Sequence, residues 1–276
     1  MALEPVVLRG RDRYERVSEG STDNTHDDAF THTVRLGDSD HAIELSVVAL
    51  PSPEYLIRSA QARATSGDVD PVAVAAMARL ANVPMVGGLT RAVADAVGRG
   101  PGAGLLVDAM IEVARLARQV AKLPRERAER ATQSAWECWQ LDTSGWVDLP
   151  ESCFTYSAAG KALFTTRTVA TPMQPDLYSP RPGQKGVFVR RKVARVERVG
   201  AGLRLFHSMH DNVHGFELTY EVNADGTITR ADSVTSRLPY AGICSEPQTR
   251  IKALLGETVD AGLRKRVSGH VGGVNG

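Results

Sequence analysis

Two stretches near the N-terminus alternate apolar and polar side chains and predict β-strands. Phe30 to Leu36 and Ala42 to Leu50 show this pattern, and Gly37-Asp38-Ser39-Asp40 between them is typical of a tight turn. Residues 1–28 are polar and show no period, which predicts a flexible N-terminal tail. The ordered part of the chain is therefore expected to begin with an antiparallel hairpin.

Beyond residue 70 the apolar positions recur at helical spacing. A first helix is predicted to begin at Asp70-Pro71, with aspartate as N-cap and proline in the first turn. Leu89 to Val97 predicts a second helix, and an apolar stripe runs through Ala103 to Leu123. Arg125 to Trp139 predicts another helix, whereas Ser152 to Val169 is predicted to form strand and turn.

Four prolines between residues 172 and 182 disfavour a long helix and predict a linker over residues 172–185. Val187 to Val199 and Phe216 to Val222 then predict strands, and Asn223-Ala224-Asp225-Gly226 predicts a hairpin turn. Two short helices are expected at Gln248 to Leu255 and Thr258 to Val267.

The second half of the chain repeats motifs of the first at a nearly constant offset. His41-Ala42-Ile43-Glu44-Leu45 matches His214-Gly215-Phe216-Glu217-Leu218 at an offset of 173, and Gly88-Leu89-Thr90-Arg91 matches Gly262-Leu263-Arg264-Lys265 at 174. The common offset predicts a tandem duplication, and generic composition is the alternative. The expected fold is α+β, with related units at 29–171 and 186–276, each an antiparallel sheet followed by two or three helices.

The repeat also predicts an incomplete second unit. In the first unit the glycine turn leads into the stripe at Ala103 to Leu123, whereas the sequence stops at Gly276, where the matching helix would begin. We therefore expect this chain to be a fragment of a longer protein, or to lack a piece that is supplied elsewhere, because an apolar face would otherwise be exposed. A genuinely shortened second repeat is the alternative.

Composition narrows the class of protein. Of 276 residues 42% are hydrophobic, Lys and Arg total 33 against 32 for Asp and Glu, and aromatic residues make up 5%, which together argue against a nucleic-acid partner. No apolar run approaches the ~20 residues of a membrane-spanning helix, and no signal peptide is recognisable. Three scattered cysteines fit a reducing compartment, so a cytoplasmic protein is expected.

Several motifs of the second unit occur in a recognisable order. Pro239-Tyr240 is followed by Cys244, a helical stretch, Gly262-Leu263-Arg264 and the glycine-rich Val271 to Gly276. This order resembles the bacterial family known as domain of unknown function 2889 (DUF2889), and Trp139 to Thr143 resembles the closing segment of that family. There the glycine turn is followed by Cys-Thr-His-Leu and a helix. The resemblance implies no chemistry, because the family has no established activity.

The densest polar cluster lies between residues 207 and 214. His207 and His210 are candidate ligands for zinc or iron, although alternate strand residues face opposite sides, and solvated histidines at a hairpin end are the alternative. His214 has a counterpart in His41, so it is expected to serve the common fold. His210 is a candidate general base oriented by Asp211, unless Asp211 bonds only the turn backbone.

Three further sets of residues are candidates for ligand chemistry. Cys244 is a candidate nucleophile activated by the helix that begins near Pro247, and a small buried core residue is the alternative. Tyr240 beside it, and Arg190 and Arg191 in a basic run, are candidate ligand-binding residues; the run would meet an anion such as a coenzyme A phosphate, unless it is a solvated strand face. The glycine turns are weak nucleotide fingerprints, since neither is GxGxxG.

Two functional hypotheses follow from these candidates. The first is an enzyme that acts on a small organic acid or acyl thioester in catabolism, with its site in the second unit near His210, Asp211 and Cys244. The second is a non-catalytic binding or assembly scaffold. Either is compatible with a homo-oligomer.

Overall fold

The computed structural model describes residues 7–145 and 149–275 and confirms the α+β class. Its strands form an antiparallel sheet in the order β4-β3-β2-β1-β5-β6-β7-β8. The strands are β1 Arg13–Asp23, β2 Phe30–Asp38, β3 Ala42–Ala49, β4 Ile57–Ser66, β5 Phe188–Val199, β6 Gly202–Asp211, β7 Gly215–Val222 and β8 Ile228–Arg237. The α-helices are α1 Pro71–Ala76, α2 Leu89–Val97, α3 Ala103–Ala117, α4 Arg125–Ala131, α5 Ala135–Asp142, α6 Ala158–Ala162, α7 Pro175–Tyr178, α8 Ser245–Gln248 and α9 Leu263–Val271.

The helices of the first half follow the sequence pattern closely. Asp70 caps α1 by accepting a hydrogen bond from the Val72 amide at 2.8 Å, and Pro71 is the first helical residue, as predicted. Helix α2 has the predicted bounds, and α3 ends earlier than the stripe suggested. The helix predicted over residues 125–139 is divided into α4 and α5, because Ser134 caps a new helix by accepting from the Glu137 amide at 3.2 Å.

The secondary structure predicted for two segments is wrong. Residues 13–23, inside the expected tail, form β1, which pairs with β2 so that Thr22 lies opposite His32. A polar strand held by backbone hydrogen bonds needs little apolar alternation, so the pattern missed it. Residues 152–169, expected as strand and turn, instead form α6 and 3-10 helices at Phe154–Tyr156 and Leu163–Thr165. Residues 1–6 of the predicted tail and Gly276 of the glycine turn lie outside the described residues.

The chain divides into two compact units that are not continuous in sequence. The N-unit comprises Arg16–Arg130 and Gln174–Arg191, and the C-unit comprises Met1–Glu15, Ala131–Met173 and Lys192–Gly276. The predicted unit boundaries, at residues 171 and 186, assumed that each unit is one continuous stretch of the sequence. Residues 131–171 precede the predicted linker, yet they belong to the same unit as β6, β7 and β8, and α7 of the predicted linker lies in the N-unit.

The two units repeat the same strand register. Phe30 pairs with Ala49 and Gly37 with Ala42 across β2 and β3; 173 positions later, Leu203 pairs with Val222 and His210 with Gly215. The next strand pair has irregularities at Ala42/Ile43 and Val48/Ala49, and the C-unit has them at Gly215/Phe216 and Glu221/Val222, again 173 positions later. Bulges are specific local features, so their coincidence makes the two meanders closely alike.

The correspondence extends to the segments after the strands. An isolated bridge joins Leu56 to Pro84 in the N-unit, and the equivalent bridge in the C-unit joins Thr227 to Thr258. Helix α9 has the same length as α2 and begins 174 positions after it. The units therefore share strand register, bulge positions and the place of one helix.

The N-unit has a fully covered sheet face. Helix α3 packs across β2 and β3 and beside α2. Ten of its fifteen residues are buried, and Val34, Leu45 and Val47 of the strands are fully buried. Leu116 of α3 lies so close to β1 that a Cβ atom at Gly20 would be 2.7 Å from its Cδ1. The apolar period predicted from the sequence thus becomes the core of the N-unit.

Candidate functional site

The Asp211 carboxylate organises the turn between β6 and β7. It accepts hydrogen bonds from the backbone amides of Val213 at 2.8 Å and His214 at 2.6 Å, and the His214 Nδ1 atom lies 3.1 Å from both of its oxygens. Its side chain is fully buried. In the N-unit, Asp38 accepts from the amides of Asp40 and His41 in the same way. Asp211 therefore has a turn-forming role that both repeats share.

His210 lies away from this pairing. Its side chain is 46% exposed, and its Nε2 atom lies 3.4 Å from an Oε1 atom of Glu217 on β7. The predicted His210–Asp211 dyad is therefore replaced by two other pairs, His210 with Glu217 and His214 with Asp211. Glu217 was not singled out from the sequence; its position opposite the histidine strand, in a predicted hairpin, was the available signal.

The two histidines proposed as metal ligands point to opposite faces of the sheet. His207 lies opposite Leu218 and His210 opposite Gly215, three positions apart on one strand, so a single ion would not contact both rings. In the described residues, the group with metal-ligand character is Asp38, Asp40 and His41, whose ligand atoms lie within 4.8 Å of one another. There Asp38 already accepts the turn amides. The zinc or iron site predicted at His207 and His210 has no such cluster.

Cys244 is a largely buried thiol with a hydrogen-bond partner. Its Sγ atom lies 2.9 Å from the Thr155 hydroxyl. Burial raises the pKa of the Cys244 thiol to about 11, and the hydrogen bond from Thr155 only partly offsets this. Cys244 is the N-cap residue of α8, but α8 is a single turn, and the net shift of the thiol pKa is upward, opposite to the predicted activation.

The low thiolate content of Cys244 gives a direct prediction. At pH 7 a pKa of about 11 leaves about one thiolate in 10⁴, so we expect reaction with Ellman's reagent to be at least about 100-fold slower than for a free cysteine. The rate is followed by absorbance in the native protein and in urea, where all three cysteines should react quickly. A fast native reaction that Cys244→Ser removes would contradict the assignment.

Tyr240 belongs to a buried network that the sequence did not reveal. It is fully buried, and its hydroxyl donates to Asp142 Oδ2 at 2.6 Å; the Tyr156 hydroxyl donates to the same oxygen at 2.8 Å. Burial, followed by the charge of Asp142, raises the pKa of Tyr156 well above its usual value. Asp142 lies three residues beyond the helix predicted over Arg125 to Trp139, and the sequence pattern did not mark it as a buried residue. The network fixes residues 142, 156 and 240 together and leaves Tyr240 inaccessible to a ligand.

Arg190 and Arg191 are engaged within the N-unit. The Arg190 side chain is buried, with its guanidinium carbon 5.1 Å from the centre of the Phe188 ring, and the exposed Arg191 lies 3.3 Å from a carboxylate oxygen of Glu19. These contacts give both arginines structural partners. An anion bound at these two arginines, as predicted, would therefore have to compete with these contacts.

A cleft of about 220 Å³ lies in the N-unit, away from the residues singled out by sequence. Asn24, His26, Asp27 and Lys122 are among its lining residues. The Lys122 ammonium donates one hydrogen bond to Asn24 Oδ1. It donates another to the His26 carbonyl oxygen, at 2.8 Å. Burial lowers the pKa of Lys122, and the charges of Asp28 and Asp27 act in the opposite direction. Lys122 therefore ties the chain segments around the cleft together.

The C-unit has an apolar sheet face that is only partly buried. We call it the open face, and it comprises Leu205, His207, Met209, Phe216, Leu218 and Tyr220. The equivalent N-unit residues, which lie under α3, are buried: His32, Val34, Leu36, Ile43, Leu45 and Val47. Among the described elements of the C-unit, the 3-10 helix Thr249–Leu254 packs against β8, but no helix packs closely against β6 or β7.

Helix α9 is exposed in the same way. Leu89, Val93 and Val97 of α2 are buried beside α3. The matching stripe of α9, Leu263, Val267 and Val271, is only partly buried, although Leu263 and Val267 touch a small core that contains Leu203 and Leu254. Two separate elements that are buried beside α3 in the N-unit are thus only partly buried in the C-unit.

Comparisons with known proteins add a family for the C-terminal part. None of the helices in residues 7–145 and 149–275 is long and apolar enough to span a bilayer. The chain matches no curated protein and no solved structure. A family model does match, over residues 195–276, and it covers β6, β7, β8 and α9. Residues 195–276 are therefore similar to the family described as "Protein of unknown function (DUF2889)", as the sequence motifs indicated.

Proposed function

We propose that this chain is a non-catalytic binding and assembly protein whose C-unit takes up an amphipathic helix of a partner protein. One observation carries the proposal: residues of the same register are buried under α3 in the N-unit and partly exposed in the C-unit. An apolar sheet face that is left partly exposed to solvent is a candidate interaction site. A helix is the chosen occupant because α3 demonstrates, in the same chain, what such a surface binds.

The roles of the candidate catalytic residues support a binding protein. Asp211 forms a turn that Asp38 repeats, Cys244 is held as a protonated thiol, and the Tyr240 hydroxyl is bonded to Asp142. Each of these groups is already used by the fold. A tandem duplication, in which one copy keeps its helix and the other offers its face to a partner, belongs to the same proposal, as does a cytoplasmic location in a bacterium.

The proposed function is tested by placing a charge on the open face. We expect the fluorescence of the apolar dye anilinonaphthalene sulfonate to rise on binding the native protein, and Leu218→Lys to lower that signal at least about threefold, because an ammonium on an apolar surface is costly to desolvate. Thr219→Lys is the matched control, since it adds the same charge on the opposite sheet face beside Asp232. Equal dye binding by both variants would overturn the proposal.

One specific observation favours the enzyme hypothesis. His210 is half-exposed beside Glu217, and the equivalent N-unit positions are Gly37 and Glu44, so this imidazole is an addition of the C-unit. A histidine oriented by a carboxylate is a plausible general base for a small organic acid or acyl thioester. It is the second candidate because, among the described residues, the group with metal-ligand character lies in the other unit, at Asp38, Asp40 and His41.

A further inference from the structure

We infer that the partner helix lies in the C-unit as α3 lies in the N-unit, contacting the open face and the α9 stripe at once, and therefore has a wide apolar surface on two sides. This inference rests on the proposed function and makes it more specific. A helix that met only a sheet would need one narrow apolar stripe. A helix held between a sheet and a second helix needs apolar residues on both sides.

Helix α3 shows how wide that surface is. It packs against β2 and β3 on one side and α2 on another, and only Gly104 and Arg115 among its fifteen residues are exposed. Its sequence keeps Asp108 and Arg115 at the rim, where Asp108 pairs with Arg16 of β1. Few exposed helices carry such a wide apolar arc, so the C-unit is expected to select among partner helices.

The two receiving surfaces of the C-unit belong to one site by analogy of position. The residues of the open face occupy the register positions that β2 and β3 occupy under α3, and the α9 stripe occupies the positions of the α2 stripe beside α3. Leu263 and Val267 pack on the same small core as Leu205 and Tyr220. The sheet surface and the helix surface are therefore continuous through shared core contacts.

The face differs from its N-unit counterpart at five of six positions, and at two of them a larger aromatic side chain replaces an aliphatic one. Phe216 stands where the N-unit has Ile43, and Tyr220 where it has Val47. Tyr220 also brings a hydroxyl that Val47 lacks, and burial raises the pKa of that hydroxyl. Larger side chains favour a partner helix with small residues at these contacts.

The test uses a labelled peptide with the sequence of residues 102–118 and the full chain. We expect micromolar binding by fluorescence anisotropy, with helix formation in circular dichroism, because a peptide of this length is only marginally helical alone. Leu218→Lys on the sheet and Val267→Lys on α9 should each weaken binding at least about tenfold. Their matched controls, Thr219→Lys and Ser268→Lys, should change it less than about twofold.

Changes in the peptide keep the test independent of protein folding. Met110→Lys in the peptide should weaken binding at least about tenfold, whereas Gly104→Lys adds the same charge on the exposed side and should be neutral. Weakening by Leu218→Lys but not by Val267→Lys would overturn the two-sided docking and leave the proposed function intact. If the peptide did not bind while the dye bound normally, the two-sided docking would likewise be overturned and the proposed function would stand.

A second copy of the chain is the competing occupant. Analytical ultracentrifugation without peptide distinguishes it: a dimer that Leu218→Lys dissociates and Thr219→Lys does not would overturn the proposal in favour of self-association. A monomer that binds the peptide supports it.

Discussion

Replacing Asp142 with alanine is expected to lower the free energy of unfolding by about 3–5 kcal/mol. The carboxylate is 2% exposed and accepts hydrogen bonds from the hydroxyls of Tyr156 and Tyr240, so its loss leaves two buried donors without this acceptor. Urea unfolding followed by tryptophan fluorescence measures the change.

Two conservative variants serve as controls for Asp142. Tyr156→Phe and Tyr240→Phe each remove one hydrogen bond and keep the ring, so each should cost about 1–2 kcal/mol. A loss below about 1 kcal/mol in Asp142→Ala would contradict the network.

The Tyr156 hydroxyl adds a pH dependence to this network. Because its pKa is raised in the folded state, its contribution is complete below the unfolded pKa near 10 and is lost as pH rises through the folded value. Stability should therefore fall above about pH 10, and less steeply in Tyr156→Phe.

Asp211→Ala is the second large expected effect, at about 2–4 kcal/mol of unfolding free energy. The change removes the acceptor of two backbone amides and of the His214 ring from a fully buried position. Asp38→Ala in the N-unit turn should have a similar effect, since its carboxylate accepts the equivalent amides. Chemical denaturation of each variant gives the values.

His210→Ala is the control that separates a turn role from a catalytic one. The imidazole is half-exposed and pairs only weakly with Glu217, so its removal should change stability by less than about 0.5 kcal/mol. If Asp211→Ala were instead as stable as the native protein, the turn assignment would be wrong.

The sequence predicted the elements whose stability is local. Helix α2 has the bounds given by its apolar period, α1 has the cap and proline that mark its start, and the hairpin of β2 and β3 follows alternation and turn residues. These signals depend on neighbours within a few positions, so they can be read without knowledge of the fold. The constant offset between repeats was also readable, and it matches the register of the strands.

The features that the sequence missed depend on partners far along the chain. Strand β1 is polar and is held by pairing with β2, so its own pattern carries little signal. The pairing of Tyr240 with Asp142 joins residues 98 positions apart. The His210–Asp211 dyad failed for the opposite reason: adjacency in sequence suggested a contact, whereas adjacent strand residues point to opposite faces.

By itself, the amino-acid sequence determined the α+β class, the repeated motifs, the similarity of residues 195–276 to the DUF2889 family and the helices and hairpins with strong local periods. Only the tertiary structure decided which repeated surface is covered, because burial depends on which helix reaches a face, and alternation in β7 is the same whether or not a helix lies above it. It also decided the protonation of Cys244, since desolvation is a property of the surroundings that residues distant in sequence create.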